Sequence, residues 1–212
     1  SGVFETLFDV GLCFDATLGL PYYPGSTLKG ASRSVAEELL GEDHARALFG
    51  KPGEKGWMGL FEYSNSYPVG CITGKHPCLV VTGDVVSPHY FKPGVGLVET
   101  ELEAEPTPII HAAIAPGTVF RVIIGVREPP KRAEEGVRKA IRKAREVGLL
   151  GSDSLNATSL SLIAARLAII AMSWGFAARS GKGYNVFRLL DKEELDRIDR
   201  SVVSIKMSRG GH

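Results

Sequence analysis

The sequence is poor in the features that would classify it quickly. Its three cysteines, Cys13, Cys71 and Cys78, form no CxxC pair. An odd number at these spacings speaks against a disulfide scaffold and against a zinc knuckle. It fits a reducing, cytoplasmic compartment in which all three act as small core hydrophobes. Long apolar runs are missing: the most apolar stretch, Leu160 to Trp174, carries Arg166, and a membrane span needs about 20 apolar residues. The opening Ser1-Gly2-Val3 leads into no basic segment followed by an apolar one, so no signal peptide is expected. There is no HExxH, no GxSxG and no paired Cys and His, which removes common metalloprotease and hydrolase signatures. Charge of one sign is lacking as well. With 25 Lys and Arg against 24 Asp and Glu, the net charge is +1, which argues against a uniform basic field holding nucleic acid.

What is present is glycine, at 25 residues, above the usual share of roughly 7 %. The charge is also unevenly placed. Residues 1–50 hold three bases and seven acids, residues 131–147 seven and three, and Arg166 to the end nine and five. Bases beside glycine loops therefore carry any case for nucleic acid. The sequon Asn156-Ala157-Thr158 means nothing in a cytosolic chain.

Phe4 to Phe14 reads as a strand, followed by a turn-rich stretch from Gly19 to Gly25. Ser26-Thr27 reads as an N-cap opening a helix to about Leu40, with Leu28, Ser32, Val35 and Leu39 on one face and Gly41 as its stop. Leu48-Phe49-Gly50 is an apolar anchor before a loop, Lys51 to Gly56. Trp57 to Tyr63 and Pro77 to Val86 read as strands, the second apolar enough to be central. Ser87 to Gly96 reads as a loop, and Glu99, Glu101, Glu103 and Glu105 then form an acidic face of period two. Ile109 to Ala115 and Thr118 to Val126 look like paired strands joined at Pro116-Gly117.

Pro129-Pro130 opens a helix to about Val147 with an apolar stripe of Ala133, Val137, Ala140, Ile141 and Ala144. A second helix, about Thr158 to Ser173, is apolar nearly all round and expected to be buried. A glycine-rich loop, Gly175 to Tyr184, precedes a short strand, Val186 to Leu190, and a charged helical tail, Asp191 to Arg200. The core order β-α-β-β-α-β with long insertions suits a single α+β domain over residues 1–212, a modified ferredoxin-like antiparallel sheet with helices on one face.

Two constellations suit anionic oxygens. In Pro24-Gly25-Ser26-Thr27-Leu28-Lys29-Gly30 a glycine turn enters a helix, whose free N–H groups at Gly25, Ser26 and Thr27 favour a phosphate. Lys29 and Arg33, four apart, share a face beside that end. The plainer reading is an ordinary capped helix with two solvated bases. The second is the loop Gly175–Tyr184, with Arg179, Ser180, Lys182 and Tyr184. It is no P-loop: five residues separate Gly175 from Gly181, and Gly183 follows Lys182 where Ser or Thr is required. Two bases and one aromatic among glycines suit backbone phosphates and a stacked base, and a generous C-cap connection is the plainer reading. Asp84, His89, Tyr90 and His111 have no spacing that demands acid–base chemistry. The acidic comb reads as a solvated edge more readily than as a metal site, and no cofactor is implied.

At these residues a resemblance enters. Gly19-Leu20-Pro21-Tyr22-Tyr23-Pro24-Gly25-Ser26-Thr27-Leu28-Lys29-Gly30, Arg33, Leu48-Phe49-Gly50 and the loop Gly175–Tyr184 resemble the signature of the RAMP superfamily of CRISPR proteins. Asp84-Val85-Val86-Ser87-Pro88-His89-Tyr90 and Pro106-Thr107-Pro108-Ile109-Ile110 resemble the branch that supplies the sixth subunit of type III-B (Cmr) effector complexes. The loop departs from the family pattern, with Phe176, Arg179 and Asn185 where a Gly, a Lys and a Gly are usual. The resemblance implies an RRM-like ferredoxin fold and a non-catalytic backbone subunit holding the 3′ part of the guide RNA in antiviral defence. Its implied partners are guide and target RNA, the repeated backbone RAMP, the terminal RAMP and the small helical subunit. It also implies a β-hairpin thumb, with Val69 to Cys78 or the acidic comb as candidates.

The expected RNA-binding set is Gly25, Ser26, Thr27, Lys29, Arg33, His89, Arg179, Ser180, Lys182 and Tyr184. The rival readings are a RAMP endoribonuclease using His89, His111 or Asp84, and a protein–protein adaptor.

Overall fold

Apolar stripes at helical spacing become the core of the computed structural model, which describes residues 12–53, 56–72, 80–86, 91–92, 96–97, 109–151, 156–176 and 183–198. The strands are β1 (Cys13–Phe14), β2 (Pro21–Tyr22), β3 (Gly50–Lys51), β4 (Trp57–Met58), β5 (Phe61–Tyr63), β6 (Tyr67–Cys71), β7 (Val81–Val86), β8 (Phe91–Lys92), β9 (Gly96–Leu97), β10 (Ile109–Ile114), β11 (Thr118–Arg121) and β12 (Ile124–Val126). The longer helices are α1 (Gly25–Leu40), α2 (Glu42–Phe49), α3 (Glu134–Glu146) and α4 (Ala157–Trp174). The chain divides into two compact units, one from residues 1–22 and 68–120, the other from residues 23–67 and 121–212.

The first unit is built of antiparallel pairs: β1 with β2, β6 with β11, β7 with β10 and β8 with β9. The turn-rich stretch after Gly19 thus contains a strand. The expected pairing of Ile109–Ala115 with Thr118–Val126 does not form. The turn at Pro116-Gly117 is there, but its flanking backbone groups are claimed by other strands. Ala115 N–H donates to the Val80 carbonyl at 2.9 Å, and Ile72 N–H donates to the Gly117 carbonyl at 3.0 Å. Cys71 is disulfide-bonded and Cys13 is free, so Cys71 is not the reduced core hydrophobe expected of it. Cys78 and the acidic comb Glu99–Glu105 lie outside the described residues, as do residues 4–11 of the expected first strand.

The second unit holds the main core. In α1, Leu28, Ser32, Val35, Ala36 and Leu40 are buried; Leu39 is half-buried. Gly41 ends the helix with a φ of 91°, a backbone region that penalises a Cβ. The whole predicted stripe of α3, from Ala133 to Ala144, is buried. Helix α2 is absent from the sequence reading, where its last residues appear only as an anchor. It buries Ala45, Ala47, Leu48 and Phe49, and Phe49 meets Phe61 edge-on at 5.2 Å. The strand expected over Trp57–Tyr63 breaks into β4 and β5. β4 pairs with β3, and β5 pairs with β12. Between them Leu60 N–H donates to Leu48 O, and Leu60 O accepts from Arg127 N–H, both at 2.8 Å.

Helix α4 departs from expectation. Leu160, Ile163, Ala164, Leu167, Ala168 and Ala171 face inward, packing on α1 and β12, while Leu162 and Trp174 are exposed at 39 % and 59 %. At 18 residues it is long and apolar enough, by length and composition, to cross a membrane. Arg166 on its side donates to the Gly148 carbonyl at 3.2 Å. Asn156 of the sequon is its N-cap, its side-chain oxygen accepting from Ser159 N–H at 2.7 Å. The strand expected at Val186–Leu190 is irregular chain. The charged tail is helical over residues 192–198, started by a reciprocal cap: Glu194 N–H donates to Asp191 Oδ1, and Asp191 N–H to Glu194 Oε2.

Asn156→Ala should lower unfolding free energy by about 1 kcal/mol, the usual worth of an N-cap. Asn156→Asp should retain most of it. Denaturant titration of both variants checks this.

Candidate nucleic-acid interface

The start of α1 is made by contact with the end of β5. A Cβ on buried Gly25 would stand 2.0 Å from the Tyr63 carbonyl oxygen, so only glycine lets helix and strand meet there. Gly25 N–H donates to Asn65 Oδ1 at 3.0 Å. The N–H groups of Thr27 and Leu28 fold back to the Pro24 carbonyl at 3.0 and 3.3 Å. The N-cap is Pro24, with no side-chain cap; Ser26 and Thr27, expected to cap, are already helical. Asn65, 40 residues away, supplies the oxygen that a local cap would have supplied. The anion site expected at Gly25, Ser26 and Thr27 is therefore narrower than three free N–H groups. Two have partners, and exposed Ser26 is the residue of this turn that faces outward.

Beside this turn lies an open groove of about 510 Å³, lined among others by Ser26, Lys29, Glu62, Ser64, Ile123 and Gly125. Lys29 makes no ion pair among the described residues. Arg33 differs from it: its Nε sits 2.8 Å from Glu37 Oε1, with both side chains 37 % exposed. Such a pair adds little stability, but it places a carboxylate against Arg33 that any phosphate must displace. The two bases expected to act alike are thus unequal. Glu62, which also lines the groove, is ion-paired with Arg127.

The two described ends of the glycine-rich segment meet beside Tyr23. Its first end, Phe176, is buried and lies 5.2 Å from Tyr23, ring centre to ring centre. Phe187 completes the cluster, edge-on to Tyr23 at 5.4 Å. Asn185, at the other end, has a φ of 56°, the left-handed region that asparagine tolerates better than most residues. Its Oδ1 accepts from Tyr23 Oη at 2.6 Å, and its carbonyl accepts from Phe176 N–H at 3.4 Å. Two of the three departures from the family loop thus have a physical basis. Phe176 exchanges glycine's freedom for a buried ring, and Asn185 keeps a glycine-like backbone and adds a hydrogen bond. Tyr23 is two residues before Gly25, so the base of this loop and the first turn of α1 are joined. Tyr184, half-buried, lies at that base. Arg179, Ser180, Lys182 and His89 lie outside the described residues.

In the other unit, the β7–β10 register sets His111 opposite Asp84. His111 is buried, and the Asp84 carboxylate accepts from Val85 N–H at 2.7 Å. No group of three or more His, Cys, Asp or Glu that could hold a metal occurs among the described residues. Sequence reasoning missed Tyr23, Asn65 and Asn185 as builders of the interface. Tyr23 sits inside the helix-start motif and Asn185 directly follows the glycine loop, but Asn65 has no local signal.

Burial pushes the phenols of Tyr23 and Tyr63 up to about 12. Below pH 10 both are neutral in the folded and the unfolded chain. Between 10 and about 12 only the unfolded chain ionises, so stability should fall across that window. Tyr23→Phe should make the fall shallower and lower the stability at neutral pH by about 1 kcal/mol for the lost hydrogen bond. Urea midpoints at about pH 9 and about pH 11.5 check both effects.

Comparison with known proteins identifies the family. The model of the RAMP superfamily matches residues 2–184. The chain is 32 % identical over 185 residues to CRISPR system CMR subunit Cmr6 of Saccharolobus solfataricus, covering 87 % of this chain and 50 % of that protein. It therefore spans about half the length of that relative. A chain in the cryo-EM structure of the type III-B Cmr-beta complex bound to cognate target RNA matches with a TM-score of 0.59 and 27 % identity, over 90 % of this chain and 52 % of that one. With a family match over most of its length, the chain belongs to the RAMP superfamily.

Proposed function

We propose that this chain is a non-catalytic RNA-binding backbone subunit of a type III-B CRISPR effector complex, gripping the 3′ part of the guide RNA. The observation that carries this reading is the junction of its two phosphate-suited motifs, through the Tyr23–Asn185 hydrogen bond and the rings of Tyr23, Phe176 and Phe187. Likeness to a chain of a Cmr complex bound to target RNA supports it. In this reading Lys29 and Ser26 hold one phosphate, and Arg179 and Lys182 reach others from the loop. Arg33 contributes after parting from Glu37. Contacts to phosphates carry no sequence information, which suits a subunit that must accept any guide. The ferredoxin-like arrangement, a single domain, a cytoplasmic setting and neighbouring Cmr subunits as partners belong to the same proposal.

The test is RNA binding by the full chain carrying Lys29→Ala with Arg179→Ala. Affinity should fall, and the slope of log K against log salt should shrink by about 1.4, since each phosphate contact on a single strand contributes about 0.7. Unchanged affinity and slope would sink the reading.

The rival is an endoribonuclease, favoured by His111 standing opposite Asp84. Its burial leaves His111 poorly placed to reach a ribose. RNA cleavage by the purified chain, lost in His111→Ala or Asp84→Ala, would favour the enzyme. Absence of cleavage with and without divalent metal is the expected result.

A further inference from the structure

The groove beside α1 has an apolar wall that the phosphate argument does not use. Ile123, just before β12, is 67 % exposed. A single exposed isoleucine is ordinary; the way this one is held is less so. Its N–H donates to Ser64 Oγ at 3.0 Å, and its carbonyl accepts from Ser64 N–H at 2.9 Å. Ser64 Oγ also lies 3.0 Å from the Asn65 carbonyl, and the Asn65 side chain accepts from Gly25 N–H. An unbroken run of polar contacts thus ties the backbone of Ile123 to the first turn of α1. The apolar wall and Lys29 are set on one frame.

A glycine also lines this groove. Gly125 stands opposite Glu62 in the β5–β12 ladder. A Cβ there would meet the Glu62 Cβ at 3.7 Å, an ordinary contact, so nothing in the packing forbids a side chain. Larger side chains at this lining position would take up the groove's space. The volume, about 510 Å³, falls in the range of small-ligand sites. The lining combines a cationic side chain, Lys29, with an exposed apolar one, Ile123, and Glu62 offers an acceptor whose charge is offset by Arg127.

We propose that this groove seats one nucleotide of a single-stranded RNA. Its phosphate lies at Lys29 and Ser26, its base or sugar face lies against Ile123, and its ribose 2′-hydroxyl is within the reach of Glu62. The proposal rests on the RNA-binding reading above and adds a seat for the nucleoside. It separates RNA from DNA by the one group they do not share.

The experiment measures binding of the full chain to a fluorescein-labelled oligouridine, and to its deoxy counterpart, across a salt series. Ile123→Ala, which removes an apolar contact face, and Gly125→Leu, which fills part of the groove, should each weaken RNA binding by about 3- to 10-fold. The salt slope should not change, because no charge is removed. Glu62→Gln should narrow the preference for RNA over DNA. Unchanged thermal midpoints establish that the variants fold. If both the Ile123 and Gly125 variants bind as the parent does while Lys29→Gln still loses affinity and slope, the nucleoside seat is wrong and the phosphate reading stands. If Lys29→Gln is also silent, both readings fall.

Discussion

Gly25 and the end of β5 touch with no side chain between them, and the candidate interface depends on that contact. A Cβ would meet the Tyr63 carbonyl at 2.0 Å. Because the backbone approaches so closely, Asn65 reaches the Gly25 N–H, Ser64 reaches both backbone groups of Ile123, and Lys29 stands one turn on, over the groove. A larger residue at 25 would separate helix from strand and loosen the groove, its cap and its apolar wall together.

The second constraint is Tyr23, a residue that works with both ends. Its ring packs on Phe176 and Phe187, and its hydroxyl reaches Asn185. Burial keeps the phenol protonated far above neutrality, so it remains a donor at any physiological pH. The base of a glycine-rich loop, which would otherwise carry a large entropic cost of ordering, is held at two points. The helix start and the loop base are one structure for this reason, although about 150 residues separate them in the chain.

The near-neutral net charge takes on a different meaning in this geometry. Bases on α1 and α3 are largely matched by acids one turn away: Arg33 by Glu37, Arg138 by Glu134, and Lys139 by Glu135. Lys29 is the exception in the groove. A base without an ion pair beside a groove, next to bases that are paired, suits gripping a few nucleotides at fixed points. A diffuse field would suit a protein that slides along a polymer.

The sequence by itself determined the elements whose signal is local. The stripe Ala133 to Ala144 and the stop at Gly41 followed from helical period and the freedom of glycine, and both appear as read. The motif residues from Gly19 to Gly30 and from Gly175 to Tyr184 were legible as a pattern. Tertiary structure decided what local signal cannot carry. Asn65 replaced Ser26 and Thr27 as the source of the helix-start oxygen. β10 and β11 took β7 and β6 as partners in place of each other. Leu60 broke a strand by turning its backbone to Leu48 and Arg127, and Arg33 was engaged by Glu37. Each of these is a choice among several chemically adequate hydrogen-bond partners. Distance in the folded chain makes that choice, and spacing along the sequence does not record it.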